Sequence, residues 1–507
     1  MSNIQYIHTA KDARMADFET IHTHGIPSLI LMEHAAIESV KIIEKHLTDH
    51  SRICIVCGPG NNGGDGLAIA RLLAQKNKMS NVLIPSIDKM SADEKKQYEM
   101  VKNYDLFITE DMNDIKKDIQ YSDIIIDCIF GNGLARDITG KYEELIQWIN
   151  DSKATVFAID IPSGIHATTG KKMHCAICAD YTIALDCFKL GHFQNDGLEY
   201  CGKLECVDIG ILKSVHKQID HPVYFINEQL SKELLPVRSN LSHKGTFKKG
   251  LLIGGSQSMH GALTLAANAC YRSGIGTLTL MVPDCIGDIL ASKMDFAMQL
   301  RKSSKDGFFD RPDQEALFNE INSFQFIAIG NGIGRNQASI DYVETVLKTD
   351  KPVLIDADGL WALGNNTNLL HRKAPVILTP HVKEMSFLCK ESVKDILEHP
   401  YESAFNFVSQ YPDVTIILKS STSFIVSRKE SFILHRPNSA LAKGGSGDIL
   451  CGITMGMCGQ TNDYIKACAI SAYIHSECAT IKKDPASLMP DECVEQISTV
   501  LESLRKD

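Results

Sequence analysis

A chain of 507 residues is too long for one ordinary domain, so two or three are expected. Hydrophobic residues at 44% and charged residues at 22% give an ordinary globular balance and exclude extensive disorder. The net charge of -10 gives no electrostatic reason to expect nucleic-acid binding, and the most apolar runs, at 124–126 and 416–418, are far short of a membrane span.

The opening stretch to about residue 47 shows no strand alternation and reads as two helices broken near Gly25-Ile26-Pro27. It has no basic segment followed by an apolar core, so no signal peptide is visible. With sixteen cysteines, that points to reduced thiols in the cytoplasm, with neither membrane nor nucleic acid as partner. Apolar runs at 53–57, 82–84, 106–109, 124–129, 156–161, 181–185 and 204–209 predict strands, with helical patterns at 67–74 and 142–149. Such alternation implies βαβ units and a parallel sheet covered on both faces. After the polar segment KSVHKQIDHP a second strand series follows, at 251–253, 278–282, 326–329, 353–355, 376–378, 415–418 and 424–426. The boundary therefore falls near residues 212–225. The halves share an α/β rhythm without sequence self-similarity.

Two C-x-x-C spacings, Cys54/Cys57 and Cys175/Cys178, invite a metal or redox reading. The first pair lies in a strand, where residues three apart point to opposite faces. Neither pair has a second Cys/His partner at zinc spacing, so both read as buried or incidental cysteines.

The run at 53–57 leads into Gly58-Pro59-Gly60-Asn61-Asn62-Gly63-Gly64-Asp65-Gly66 and then the helical LAIARLLAQ. Glycines at such a turn let the backbone approach a ligand, and a helix N-terminus offers unpaired N–H groups to phosphate. The spacing is neither G-x-G-x-x-G nor a Walker loop. A glycine-rich turn is also a common structural device, but the asparagines and the aspartate favour ligand contact. Two more strand ends are polar and turn-rich: Asp127 before Cys128-Ile129-Phe130-Gly131-Asn132-Gly133-Leu134, and Asp160 before Ile161-Pro162-Ser163-Gly164. Ligands of open parallel sheets gather outside the carboxyl ends of the strands, so Asn62, Asp127 and Asp160 are expected to converge on one crevice. The plainer reading is loop capping.

With FKLGH at 188–192 and VDIGI at 207–211, this set resembles the NAD(P)H-hydrate epimerase domain over about residues 5–215. The resemblance implies that Asn61, Asn62, Gly63, Gly64 and Asp65 hold the hydrated dinucleotide, together with Gly131, Asn132, Gly133, Leu134, Ala135, Arg136 and Asp137. It implies that Asp160 contacts the substrate and does the acid/base work. Asn62, Asp127 and Ser163 are implied to hold a potassium ion, which oxygen ligands suit. Scrambling a hydroxyl-bearing carbon beside the ring nitrogen needs one positioned proton donor/acceptor, a role suited to a carboxylate.

The second half opens with Ser242-His243-Lys244-Gly245 and GLLIGGSQSMHGALTLAANA at 250–269. GNGIG at 330–334, DADGL at 356–360, LTPHVKE at 378–384, LKSSTSFIV at 418–426 and LAKGGSGDILCGI at 441–453 follow. Gly444-Gly445-Ser446-Gly447-Asp448 enters an apolar helix, which sets backbone N–H groups beside a carboxylate. An anion hole plus a base is what phosphoryl transfer to a hydroxyl requires. Met455 and Met457 read as core; Lys244, Lys419 and His381 also admit surface or capping readings.

GGxGD marks ribokinase-like folds, and the ordered set resembles the ADP-dependent NAD(P)H-hydrate dehydratase over about residues 225–500. The resemblance implies that Ala262, Gly332, His381 and Asp448 face the hydrated dinucleotide, with Asp448 as the base. Lys419, Ser420, Ser421, Thr422, Ser423 and Gly447 are implied to bind the adenine nucleotide. ADP is the implied co-substrate, ATP the alternative, with Mg2+ beside it. The chain departs from the family pattern at Val382-Lys383 (usually Pro-Gly), Ser420 and Ser439 (usually Gly) and Asn331 (usually Pro). Ser420 brings a Cβ to a wall where glycine allows close approach, so nucleotide affinity or preference is expected to respond.

The expectation is therefore an α/β protein of two domains, Rossmann-like with a parallel sheet over 1–215 and ribokinase-like over 225–507. It would act on small molecules, hydrated NADH and NADPH with ADP, as a homo-oligomer. Epimerisation of the R and S hydrates would precede nucleotide-dependent dehydration of the S form. The rival readings are a ribokinase-like small-molecule kinase with a regulatory first domain, and a first domain serving only as a scaffold.

Overall fold

The computed structural model describes residues 4–506, and the chain divides into two units, Gln5–Pro222 and one beginning at Val223. In the first unit the sheet runs Phe107–Thr109, Ser80–Leu83, Ile53–Cys57, Ile124–Cys128, Thr155–Ile159, Tyr181–Leu185, Lys203–Val207. Every pairing is parallel. Ile53–Cys57 and Ile124–Cys128 are buried at every residue, as strands covered on both faces must be. The earliest strand of this sheet, Ile53–Cys57, lies inside it, so strand order reverses between it and Ile124–Cys128. Loops leaving those two carboxyl ends diverge, and a crevice opens between them.

Two expectations are corrected in this unit. Tyr6–His8 is a strand paired in parallel with Phe188–Lys189, where helix was expected. A three-residue run is too short for alternation to show. The helix after the glycine-rich turn is Asn61–Gln75, so Asn61 to Gly66 are its own first turns rather than a loop before it. Its glycines serve packing: a Cβ on Gly63 would lie 1.9 Å from the Gly58 carbonyl oxygen, and one on Gly66 2.8 Å from Cys57 Sγ. The helix rests on the strand ends at a distance that excludes side chains.

The second unit carries the order Met298–Lys302, Thr277–Pro283, Lys249–Ile253, Phe326–Ile329, Val353–Ile355, Val376–Leu378, Val414–Leu418, Thr422–Ser427, Ser431–His435, Val223–Phe225. It is parallel through Val414–Leu418, and then Thr422–Ser427 and Ser431–His435 turn back antiparallel. Strand order reverses again, here between Lys249–Ile253 and Phe326–Ile329. Met298–Lys302 was not expected; its MQLRK sequence is half polar and sits at the sheet edge, where burial does not demand an apolar run. Helix Ser446–Cys458 packs on helix His260–Arg272, with Met455 and Met457 fully buried.

All sixteen cysteines are free thiols: Cys54 and Cys57 are buried in the strand core, while Cys178 is exposed. Among the described residues no helix is long and apolar enough to cross a membrane.

Two candidate active sites

At the reversal point of the first unit lies a cavity of about 710 Å3. Asn61, Asn62, Asp65, the segment from Gly131 to Arg136, and Asp160 all line it. Gly63 and Gly64 are buried in the helix behind the wall, and Asp137 is exposed outside the lining.

Asp160 follows strand Thr155–Ile159 with φ +71°, a left-handed conformation that aspartate tolerates better than most residues. Its backbone is fixed from both sides: the N–H donates to the Ile183 carbonyl at 2.8 Å, and His192 Nε2 donates to its carbonyl at 3.1 Å. The His192 tautomer follows from the chain, because Nδ1 accepts from the Lys189 N–H at 3.2 Å. Burial, then the Lys189 charge, pushes His192 down to about 3, so the ring is neutral. Asp160 Oδ2 accepts the Asn132 N–H at 3.1 Å, and Oδ1 is ion-paired with Lys189 Nζ. Lys189 also donates to the carbonyls of Leu185 at 2.9 Å and Cys187 at 3.0 Å. Burial alone would lower this ammonium; the Asp160 carboxylate outweighs it and leaves the lysine raised.

Three further carboxyls share the wall. Burial pushes Asp17 up to about 7 and raises Asp65 well above the usual carboxylate range. Asp186 faces His216 Nε2 at 3.5 Å, and His216 Nδ1 meets His8 Nε2 at 2.9 Å. A carboxylate held beside a cation, with the burial-raised carboxyls of Asp17 and Asp65 on the same wall, can both take and give a proton.

Asp127 corrects the expectation of three converging side chains. Asn62 and Asp160 face the cavity, but Asp127 is fully buried and does not line it. Its Oδ1 accepts from Ile129 N–H at 3.1 Å and Ser163 Oγ at 2.6 Å, and its Oδ2 from Ser163 N–H at 2.8 Å. Burial pushes it up to about 6 against those bonds. Ser163 Oγ accepts the Phe130 N–H at 2.8 Å, and the next residue, Gly131, abuts Asn62. Both amide atoms of Asn62 are buried without a partner. The orphaned amide oxygen of Asn62, the Ser163 hydroxyl and the Asp127 carboxylate are oxygen donors of the kind that fits a hard cation such as potassium.

The second unit holds a cavity of about 620 Å3 lined by His381, Lys419, Ser420, Ser421, Ser423 and Gly447. Thr422 is not on that wall: it starts strand Thr422–Ser427, its neighbour Ser423 points the other way, and its Oγ1 meets His435 Nδ1 at 2.8 Å. Helix Ser446–Cys458 begins at the cavity, and a Cβ on Gly447 would lie 3.3 Å from Lys419 Nζ. The first-turn amides and the ammonium thus face the same space, a site for phosphate. Lys419 Nζ reaches Asp356 Oδ1 at 3.1 Å and Glu384 Oε2 at 3.9 Å. Burial would lower it, and those two carboxylates leave it raised. Burial likewise pushes Glu384 up to about 7.

His381 does cap a helix. Its Nδ1 accepts the Glu384 N–H at 3.2 Å while its own N–H donates to Glu384 Oε2 at 2.9 Å. Its ring still lines the cavity, so the capping and ligand readings describe one side chain. Asp448, Ala262 and Gly332 lie off the nucleotide-sized cavity; a Cβ on Gly332 would be 3.5 Å from that of Ala262. Burial pushes Asp448 up to about 6, opposed chiefly by a hydrogen bond from Asn331. Lys244 is exposed.

The sequence reading missed Lys189, Asp17, Asp356, Glu384 and His475 as site residues. Lys189 and Asp356 stand inside FKLGH and DADGL, so their positions were visible while their roles were not. His475 meets Ser446 Oγ at 3.2 Å from a distant helix, and nothing local announces it.

The family model for the YjeF-related protein N-terminus matches residues 28–191, and that for NAD(P)H-hydrate dehydratase matches residues 250–499. The bifunctional NAD(P)H-hydrate repair enzyme of Moorella thermoacetica is 30% identical over 99% of this chain and 98% of its own length. The enzyme of the same name from Dictyoglomus turgidum is 31% identical over 94% of this chain and 93% of its own. Among solved structures, the ADP/ATP-dependent NAD(P)H-hydrate dehydratase of Bacillus subtilis, co-crystallised with ATP and Mg2+, is similar at 28% identity and a TM-score of 0.48. It covers 55% of this chain and 98% of its own.

Proposed function

The chain belongs to the bifunctional NAD(P)H-hydrate repair enzymes, and we propose that it returns both hydrated epimers of NADH and NADPH to the reduced cofactors. Epimerisation is assigned to residues 1–215 and nucleotide-dependent dehydration to residues 225–507. One observation carries the reading: both halves of a bifunctional relative align along this single chain. A small-molecule kinase, or a scaffold role for the first unit, leaves that full-length match without a cause.

In the first site the hydrate's ring nitrogen can expel the neighbouring hydroxyl once a proton reaches it. Water then adds to the other face and gives up a proton. Asp160, pinned by Asn132 and Lys189, is assigned the proton transfer, and Asp17 supplies a carboxyl on the same wall that keeps its proton to about 7. Asn61, Asn62, Asp65 and the 131–136 segment are assigned to binding the dinucleotide. Gly63, Gly64 and Asp137 would act through the backbone that carries them. A potassium ion held by Asn62, Asp127 and Ser163 would supply fixed positive charge beside an anionic substrate.

In the second site Asp448 would accept the proton of the ring hydroxyl as that oxygen attacks the terminal phosphoryl group of ADP. The products of this step are AMP and a phosphate ester of the hydrate. The ring nitrogen's lone pair then expels phosphate, and loss of a proton from the adjacent carbon restores the double bond. Lys419, His381 and the amides around Gly447 are placed to hold the nucleotide's phosphates, with Ser420, Ser421 and Ser423 on the cavity wall. Among the described residues no cluster of three His, Cys, Asp or Glu offers a cation site. Mg2+ would therefore arrive on the phosphates, as it commonly does.

Sixteen free thiols fit a reducing compartment, which supports the cytoplasm. The test of function is stoichiometry. ADP should be consumed only when hydrated NADH is present, with one phosphate released per NADH restored; hydrate lost without phosphate release would contradict the assignment.

A further inference from the structure

We propose that Asn331 is a positioning residue of the dehydration site, whose side-chain amide clamps Asp448 to Asp356 and reserves one oxygen of Asp448 for the substrate hydroxyl. This rests on the reading of Asp448 as the base.

Asn331 follows strand Phe326–Ile329 at the point where strand order reverses, and it is 0% exposed. Its backbone is held: the carbonyl accepts the Gly255 N–H at 2.8 Å, and a Cβ on Gly254 would come within 2.4 Å of that oxygen. One amide nitrogen serves two carboxylates. Nδ2 donates to Asp448 Oδ1 at 2.7 Å and to Asp356 Oδ2 at 3.0 Å, which uses both of its hydrogens. Oδ1 accepts from Cys451 Sγ at 3.1 Å. Burial keeps that thiol protonated and able to donate, and a flipped amide would turn its oxygen toward the two carboxylates, oxygen to oxygen. Asp356 is anchored in turn by Thr379 Oγ1 at 2.7 Å and Lys419 Nζ at 3.1 Å. The chain from thiol to amide to base is continuous, and it leaves Asp448 Oδ2 without a hydrogen bond among the described residues.

The groups that bear on Asp448 are Asn331, Asp356, Lys419 and Asp358, with Cys451 on its own helix. Asp356 and Asp358 repel its charge, Lys419 attracts it, and the Asn331 bond is the largest influence that favours ionisation. Removing that bond should strip the base of its orientation and make it harder to ionise.

The test compares N331A, C451V, C451S and D448N in the full-length chain by the pH dependence of dehydration, with urea unfolding followed by Trp361 fluorescence in a Trp148→Phe background as the check that the second unit is folded. N331A should move the acid limb of kcat upward by about one to two pH units, the worth of a hydrogen bond to a charged group. Its kcat at neutral pH should fall several-fold and recover in alkali, with KM for ADP unchanged. C451V, which leaves Asn331 Oδ1 without its donor and loosens the amide's hold on Asp448, should shift the limb the same way by less; C451S, which keeps a donor there, should behave as wild type. An unshifted limb in N331A, with kcat reduced equally at every pH, overturns the clamp. If N331A does not fold, the C451V and C451S pair decides, and identical limbs overturn it. D448N that still dehydrates overturns the reading of the base itself; D448N that is inactive beside an unshifted N331A overturns the clamp alone.

Discussion

Replacing Lys189 by methionine should destabilise the first unit in a way that depends on pH. The Lys189 and Asp160 side chains are only 3% and 12% exposed, so the substitution strands a carboxylate out of water. Breaking a buried pair this way costs about 3–5 kcal/mol. A second route to the same figure uses the escape open to the stranded group, which is to take up a proton. A carboxyl that ionises near 3.9 in the unfolded chain pays about 4 kcal/mol to be protonated at pH 7, and only about 1.5 at pH 5. In the variant the folded carboxyl is raised above its unfolded value. Its stability is then intact below about pH 4 and is lost as pH rises toward 7. The Leu185 and Cys187 carbonyls also lose a donor, a loss of about 1 kcal/mol each that does not titrate. The chain has two tryptophans, and Trp148 lies in helix Lys141–Asn150 of the first unit. In a Trp361→Phe background, urea unfolding followed by Trp148 fluorescence therefore reports on this unit. The loss caused by Lys189→Met should be about 2–3 kcal/mol larger at pH 7 than at pH 5. Equal losses at the two pH values would refute the buried-pair argument.

Asp160→Asn keeps φ +71°, which asparagine accepts, and one acceptor oxygen, but removes the charge opposite Lys189; the first unit should be weakened yet folded by Trp148 fluorescence, while exchange between the two hydrate epimers, followed by chromatography, should stop. Gly66→Ala puts a methyl group 2.8 Å from Cys57 Sγ and should cost the first unit about 1–3 kcal/mol in a urea melt. Dehydration should lose half its rate near pH 6 on the acid side, because burial holds Asp448 at about 6 and protonation removes the base. A kcat plateau extending below pH 5 would point to another group.

Most strands were legible in the sequence because a parallel sheet buried on both faces needs continuous apolar runs, as in Ile53–Cys57 and Ile124–Cys128. Tyr6–His8 and Met298–Lys302 were not, since a three-residue strand and a half-polar edge strand carry no such pattern. The start of helix Asn61–Gln75 was hidden for a different reason: glycines that signal a turn locally are tolerated in a helix when packing requires them. The candidate sites were legible where a motif lies within one short segment, as with Asp160 at a strand end and Gly447 in the first turn of a helix. Lys189 gains its role only by meeting Asp160 across 29 residues, and Asn331 by meeting Asp448 across 117, and no local pattern encodes such pairings.

Repair of both hydrate epimers by one polypeptide is read from how much reduced cofactor a mixture of the two returns. The purified chain should be given R and S hydrates of NADH in equal amounts with ADP, and recovery of the reduced-cofactor absorbance followed to completion. Full recovery is expected for the wild type, about half for Asp160→Asn, and none for Asp448→Asn. Wild-type recovery that stops when the S form is exhausted would contradict the account.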